Sequence, residues 1–199
     1  MLHYIDLIGT FVFAISGALA AIQRRLDILG VFVAAFVTGC GGGVIRDVCL
    51  GAFPPAGLIS MEYLILVTVA VILTAFSRKL LRILTEPALF FDAVGLGFFA
   101  AFGVHKSYSL YGNTELALFL GCISAVGGGA LRDIFLRRVP VIFTKEIYAS
   151  AALAGAAIQL AGEVGYINKN YSLWFAIGTC TLIRLLAIRF KLNLPRIHP

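Results

Sequence analysis

Charge is scarce in this chain: Asp, Glu, Lys and Arg make up 13% of 199 residues, against 60% hydrophobic residues. Soluble domains carry about a quarter charged residues, so an ordinary water-facing surface is excluded. Catalytic signatures are missing too. There is no His-Glu-x-x-His pair, no Gly-x-Ser-x-Gly elbow and no serine, histidine and acid grouping, so the chain does not read as an enzyme. Cys40, Cys49, Cys122 and Cys180 lack Cys-x-x-Cys or Cys/His spacing suited to zinc. They read as small apolar side chains, and no cofactor or resident metal is expected. His3, His105 and His198 lie near span ends or in the tail and form no cluster. Residues 1–6 carry no positive charge, which argues against a cleaved signal peptide.

What remains is long apolar sequence, with a mean hydropathy of +0.97, and that composition describes a polytopic membrane protein. At about 20 apolar residues per crossing, seven crossings use roughly 140 residues and leave only short connections. Hydropathy and helix breakers place these crossings at about 5–22, 28–50, 59–76, 88–104, 114–136, 145–162 and 171–189. The expected organisation is a single all-α transmembrane domain over 1–199. Trp174, Tyr63, Tyr148, Tyr166 and Tyr171 fit interfacial anchors.

The net charge of +6 does not point to nucleic acid, because the basic residues fall in connections rather than on a basic face interleaved with aromatics. With alternating crossings, one side collects Arg24, Arg25, Arg78, Lys79, Arg82, Arg137, Arg138, Lys145, Arg189, Lys191 and Arg196. The other receives Lys106 and Lys169. Cytoplasmic loops retain positive charge, so the N-terminus is expected outside and the C-terminus in the cytoplasm.

Sliding the chain on itself reveals a repeat at a shift of 86 residues. It superposes Asp6 on Asp92, Gly9 on Gly95, Phe13 on Phe99, Arg46 on Arg132, Asp47 on Asp133 and Pro54 on Pro140; a two-residue deletion then brings Glu62 onto Glu146. The units span about 5–80 and 88–163, with a seventh helix at about 171–189. Three crossings per unit make the second enter from the opposite side, an inverted repeat of the kind that places permeation or binding sites between its halves.

Each unit carries Gly-Gly-Gly-x-x-Arg-Asp: Gly41, Gly42, Gly43, Arg46 and Asp47 in the first, Gly127, Gly128, Gly129, Arg132 and Asp133 in the second. A glycine costs a helix interior about 1 kcal/mol relative to alanine, so each triplet predicts a kinked or unwound second and fifth helix. Freed backbone groups there have to be buried in protein or line water. Ionisable groups inside a membrane face a partner or an aqueous cavity. Each arginine could pair with its adjacent aspartate or meet the opposite repeat's carboxylate; because neighbouring helical residues do not face each other, cross-helix pairing is preferred. Asp6 and Asp92 are the obvious partners or cation attractors. A cation path needs polar groups spaced along it, and Ser16 with these carboxylates and glycine carbonyls would supply them.

Two such units, followed by Pro54 and Pro140 and a seventh helix, resemble the prokaryotic branch of the trimeric intracellular cation (TRIC) channel family, some of whose members are labelled glycine transporters. The likeness covers about 6–189. It implies a homotrimer in a bacterial cytoplasmic membrane, surrounded by membrane lipids. Each protomer would have its own pore for potassium and sodium, lined by second and fifth helices bent at the glycines. The Lys-Glu-Val motif of animal members is not matched by Lys145-Glu146-Ile147, so phosphoinositide regulation is not carried over. A secondary transporter for glycine or a similar zwitterion is the alternative, an arginine receiving the carboxylate and an aspartate the ammonium. On either reading, Gly42→Leu and Gly128→Leu are expected to block permeation and spare the fold.

Overall fold

The computed structural model describes residues 2–76, 86–144 and 147–192, and every regular element among them is helical. In chain order these are α1 (Leu2–Gln23), α2 (Ile28–Cys49), α3 (Ala56–Ile59), α4 (Met61–Phe76), α5 (Pro87–Tyr111), α6 (Thr114–Phe135), α7 (Val141–Thr144), α8 (Ala149–Val164) and α9 (Lys169–Phe190). Helices α1, α2, α5, α6 and α9 are long and apolar enough to cross a membrane. Helices α4 and α8 are apolar but shorter, and α3 and α7 are single turns absent from the seven-helix expectation.

Local chemistry sets the boundaries. Asp27 caps α2 by accepting from the Gly30 amide at 2.7 Å, and Asn113 caps α6 by accepting from the Leu116 amide at 2.7 Å. Helix α5 runs past the expected stop near 104 because His105 and Lys106 do not break it. It ends at Gly112, which adopts a left-handed φ of 60° that an L side chain resists. The sixth crossing, expected from 145, begins at Ala149 instead; Lys145 and Glu146 lie outside the described residues.

Helix α5 is central, packed against α1, α6, α8 and α9, while α1 also meets α2 and α4. The inner faces are built from small residues such as Ala14, Ala18, Ala100, Ala101 and Ala152, all fully buried. Large apolar side chains turn outward instead, as Ile65, Ile72 and Phe76 do on α4. Small inside and large outside is the pattern expected where lipid removes the hydrophobic drive and close backbone approach holds helices together.

Two crossings use the repeat directly. Gly9 on α1 faces the Phe99 ring of α5, Gly95 on α5 faces the Phe13 ring of α1, and the two rings stack with centroids 5.3 Å apart. On α2 and α6, Gly42 lies against the Ser124 carbonyl and Gly128 against the Thr38 carbonyl. Each contact and its partner exchange places under the 86-residue shift, and within each pair one number rises as the other falls. Helices α1 and α5 are therefore antiparallel, as are α2 and α6.

The expected breaks are not there. Helices α2 and α6 are continuous through both triplets. Gly42 and Gly128 let two backbones touch, where a methyl group would overlap the opposing carbonyl oxygen. Gly129 gives room to the Tyr148 hydroxyl, and Gly43 lies beside the Arg46 guanidinium. Close approach, rather than unwinding, accounts for the glycines.

Candidate functional site: two buried arginine clusters

Arg46 and Arg132 fall in the last turns of α2 and α6, one turn beyond the crossing, and are 1% and 2% exposed. Because the helices are antiparallel, the crossing separates the clusters built around these arginines.

In the first cluster, Arg46 Nε donates to Asp47 Oδ1 at 2.8 Å, and Arg46 Nη1 lies 3.6 Å from Asp6 Oδ1. The other Asp6 oxygen accepts from the Tyr63 hydroxyl. Asp47 also accepts from Lys106 Nζ at 2.8 Å, and its second oxygen takes the Ala56 amide of α3 at 3.4 Å. The Arg46 guanidinium sits 4.9 Å over the Phe102 ring, within cation–π range.

The second cluster has the same frame and different walls. Arg132 Nε donates to Asp133 Oδ1 at 3.0 Å, while Arg132 Nη1 donates to Asp92 Oδ1 at 2.6 Å and to Ser16 Oγ at 2.9 Å. Asp133 Oδ2 accepts from the Val141 amide of α7 at 3.0 Å. Ser16 donates onward to the Ala88 carbonyl at 2.8 Å. Tyr148, 1% exposed, packs against Arg184 of α9, whose guanidinium lies 4.9 Å over its ring.

Each arginine thus reaches both its adjacent aspartate and the aspartate at the start of its own unit, and not the opposite unit's carboxylate as expected, because the crossing keeps the two clusters apart. Adjacent residues do point apart on a helix, yet a long arginine folds back, and a buried guanidinium with five donors needs more than one acceptor. Ser16, fully buried, is a partner of Arg132. The amides of α3 and α7 reach corresponding carboxylate oxygens, which places Ala56 opposite Val141 and Tyr63 opposite Tyr148. The shift there is 85, one residue from the register that aligned Glu62 with Glu146.

The walls explain the difference in access. Position 106 holds Lys106 against Asp47, whereas its counterpart under the shift is Ala20, which leaves Asp133 open. A cleft of about 320 Å³ reaches Arg132 and Asp133, lined also by exposed Gln23 and Glu86 and by Arg138. Partial burial and the nearby Arg24 guanidinium hold Arg138 below the usual arginine range. Around Arg46 and Asp6 the cavity is about 10 Å³.

Tyr63 and Tyr148, expected at the interface, are buried within the clusters, because their phenol oxygens face Asp6 and Gly129. Lys106 and Arg184 were not singled out by their surroundings in the sequence, since neither stands in the repeated motif. A second ion-pair group also escaped the pattern: Glu163 lies 2.6 Å from His105 Nδ1 and 2.8 Å from Lys169 Nζ, and accepts from Gln159 at 2.8 Å. His3 lies 2.6 Å from Glu62 at the exposed end of α1. No group of three metal-ligating side chains occurs among the described residues.

A family model described as "Glycine transporter" matches residues 3–79 and again 89–163. A UPF0126 membrane protein of Vibrio cholerae is 35% identical over 98% of this chain and 82% of its own length. The UPF0126 inner membrane protein YadS of Escherichia coli is 36% identical over 98% of this chain and 95% of its own. Among solved structures, a chain described under "Structural basis for conductance through TRIC cation channels" superposes with a TM-score of 0.86 at 36% identity, covering 99% of this chain and 97% of itself. The TRIC orthologue from Rhodobacter sphaeroides does so with a TM-score of 0.86 at 31% identity, covering 96% of this chain and 98% of itself.

Proposed function

The chain belongs to the glycine-transporter-domain family of membrane proteins, the group that includes the prokaryotic TRIC channels, and from that membership we propose that it is a passive cation channel. Potassium and sodium are the ions, and the pore runs within each protomer of a homotrimer. The protein lies in a bacterial cytoplasmic membrane, N-terminus outside, as two inverted units plus a seventh helix.

One observation carries this reading: two buried arginine–aspartate clusters flank the α2–α6 crossing inside a single chain. Buried charges on membrane-spanning helices are costly and need a reason beyond packing. Asp133 faces the cleft and offers an entering cation its first carboxylate, while Gly41, Gly42, Gly43, Gly127, Gly128 and Gly129 bring the two halves close enough to share one path. Asp6, Asp47, Asp92 and Asp133 are all engaged by arginines at rest, and Lys106 closes the end opposite the cleft. Permeation requires these pairs to loosen, which keeps ion binding weak enough for release.

Purified protein in liposomes is expected to dissipate a potassium gradient without a coupled substrate, and to give single-channel steps in planar bilayers. Saturable, gradient-driven glycine uptake without steps would overturn the channel in favour of a transporter. Lys106→Gln removes the cation from Asp47 and is expected to raise potassium flux; unchanged flux in a stably folded variant would remove Lys106 from the path.

A further inference from the structure

Three polar atoms of the first cluster have no hydrogen-bond partner among the described residues: Asp6 Oδ1, Thr10 Oγ1 and Arg46 Nη1. Their residues are 5%, 1% and 1% exposed, and all three line the cavity of about 10 Å³ beside Cys40, Gly43 and Phe99. Leaving a buried donor or acceptor unsatisfied forfeits its hydration without return, and the cost is greater when the group is charged. Three at one point demand a common partner.

The second cluster has no equivalent demand on its arginine. There Arg132 Nη1 reaches Asp92 directly at 2.6 Å and Ser16 at 2.9 Å. In the first cluster Arg46 Nη1 stands 3.6 Å from Asp6, beyond hydrogen-bond reach, and the position equivalent to Ser16 is the apolar Phe102. Arg46 Nη1 is left without a hydrogen-bond partner where the corresponding Arg132 Nη1 has two.

We propose that the Asp6, Thr10 and Arg46 side chains form a binding site for one ordered water molecule. The volume suits that occupant, since a single water needs roughly 10 to 15 Å³ and two to four polar partners. Its oxygen accepts from Arg46 Nη1, one hydrogen goes to Asp6 Oδ1, and the Thr10 hydroxyl completes the set. A potassium or sodium ion does not fit the same lining: one carboxylate oxygen and one hydroxyl are too few ligands, and the guanidinium repels it. The water bridges Arg46 to Asp6, so the first pair is held through an exchangeable link and the second by a direct bond. This assignment stands on the lining alone and does not require the channel reading.

X-ray hydroxyl-radical labelling in ¹⁸O water, read by mass spectrometry, tests it on the full-length protein in detergent. Radicals form from bound water beside buried side chains, and Cys40 supplies a reactive reporter at 3% exposure. Cys40 is expected to gain several-fold more label than Cys180, which is fully buried and lies outside that cavity. Thr10→Val should lower the label at Cys40 several-fold, and Thr10→Ser should retain it. Equal labelling of Cys40 and Cys180 in the wild-type protein would overturn the proposal without recourse to any variant. Loss of the Cys40 label when potassium chloride replaces choline chloride would also overturn it, by showing that a cation takes the site.

Discussion

Gly42 and its counterpart Gly128 illustrate how a residue's meaning depends on what lies opposite it. Each backbone rests on a carbonyl of the other helix, so a side chain there collides with atoms that cannot turn aside. Gly42→Leu and Gly128→Leu are therefore expected to lose the folded protein, at a cost of about 3 kcal/mol or more by the logic of overpacking. Thermal melting followed by fluorescence size exclusion would show it. Gly43→Ala is the contrast, because the added methyl meets its nearest atom at an ordinary 3.5 Å and should leave melting nearly unchanged. At the same scale, Asp92→Asn strips Arg132 of its 2.6 Å partner and leaves a buried cation with less compensation. The expected loss is about 3 to 5 kcal/mol, and equal melting of variant and wild type would show that Asp133 alone suffices.

Among the elements, α8 and α9 are held to α5 by more than small-residue packing. Glu163 near the end of α8 engages His105 of α5 and Lys169 at the start of α9. The Glu163 side chain is 1% exposed, whereas Lys169 is 60% exposed and adds little by itself. Glu163→Gln keeps the volume and removes the charge that faces both His105 and Lys169. Faster amide hydrogen exchange at the start of α9, with α1 and α2 unaffected, is the expected result; uniform exchange across the chain would show that the acid does not fasten these helices. The two four-residue helices serve a different end. They follow Pro54 and Pro140 and turn their first amides onto Asp47 and Asp133, fixing carboxylates that each arginine needs.

For the whole molecule, the charge bias fixes an expectation that a simple reagent can examine. Cys49 is exposed at the end of α2, which the distribution of Lys and Arg puts outside. A membrane-impermeant maleimide should label it in intact spheroplasts; labelling only after permeabilisation would reverse the orientation. Cross-linking in native membranes that stops at three chains is the matching test of the proposed trimer.

Membrane class, the approximate places of the apolar helices and the need of each motif arginine for a carboxylate were legible from order alone; which carboxylate was not, since both arginines pair within their own unit. Lipid demands long apolar runs, buried charge demands a partner, and a duplicated motif shows which residues share a role. Whether the glycines broke their helices could not be read there. The backbone strain of a glycine is the same whether or not another helix arrives to use its missing side chain, and only packing supplies the opposing carbonyl. Tyr63, Tyr148, Lys106 and Arg184 were hidden for the same reason: each gains its role from a neighbour on another element, and for Lys106 that neighbour, Asp47, belongs to the opposite unit. The unequal walls of the two clusters, Lys106 and Phe102 on one side against Ala20 and Ser16 on the other, acquire physical meaning once folding sets each residue against the opposite unit's arginine.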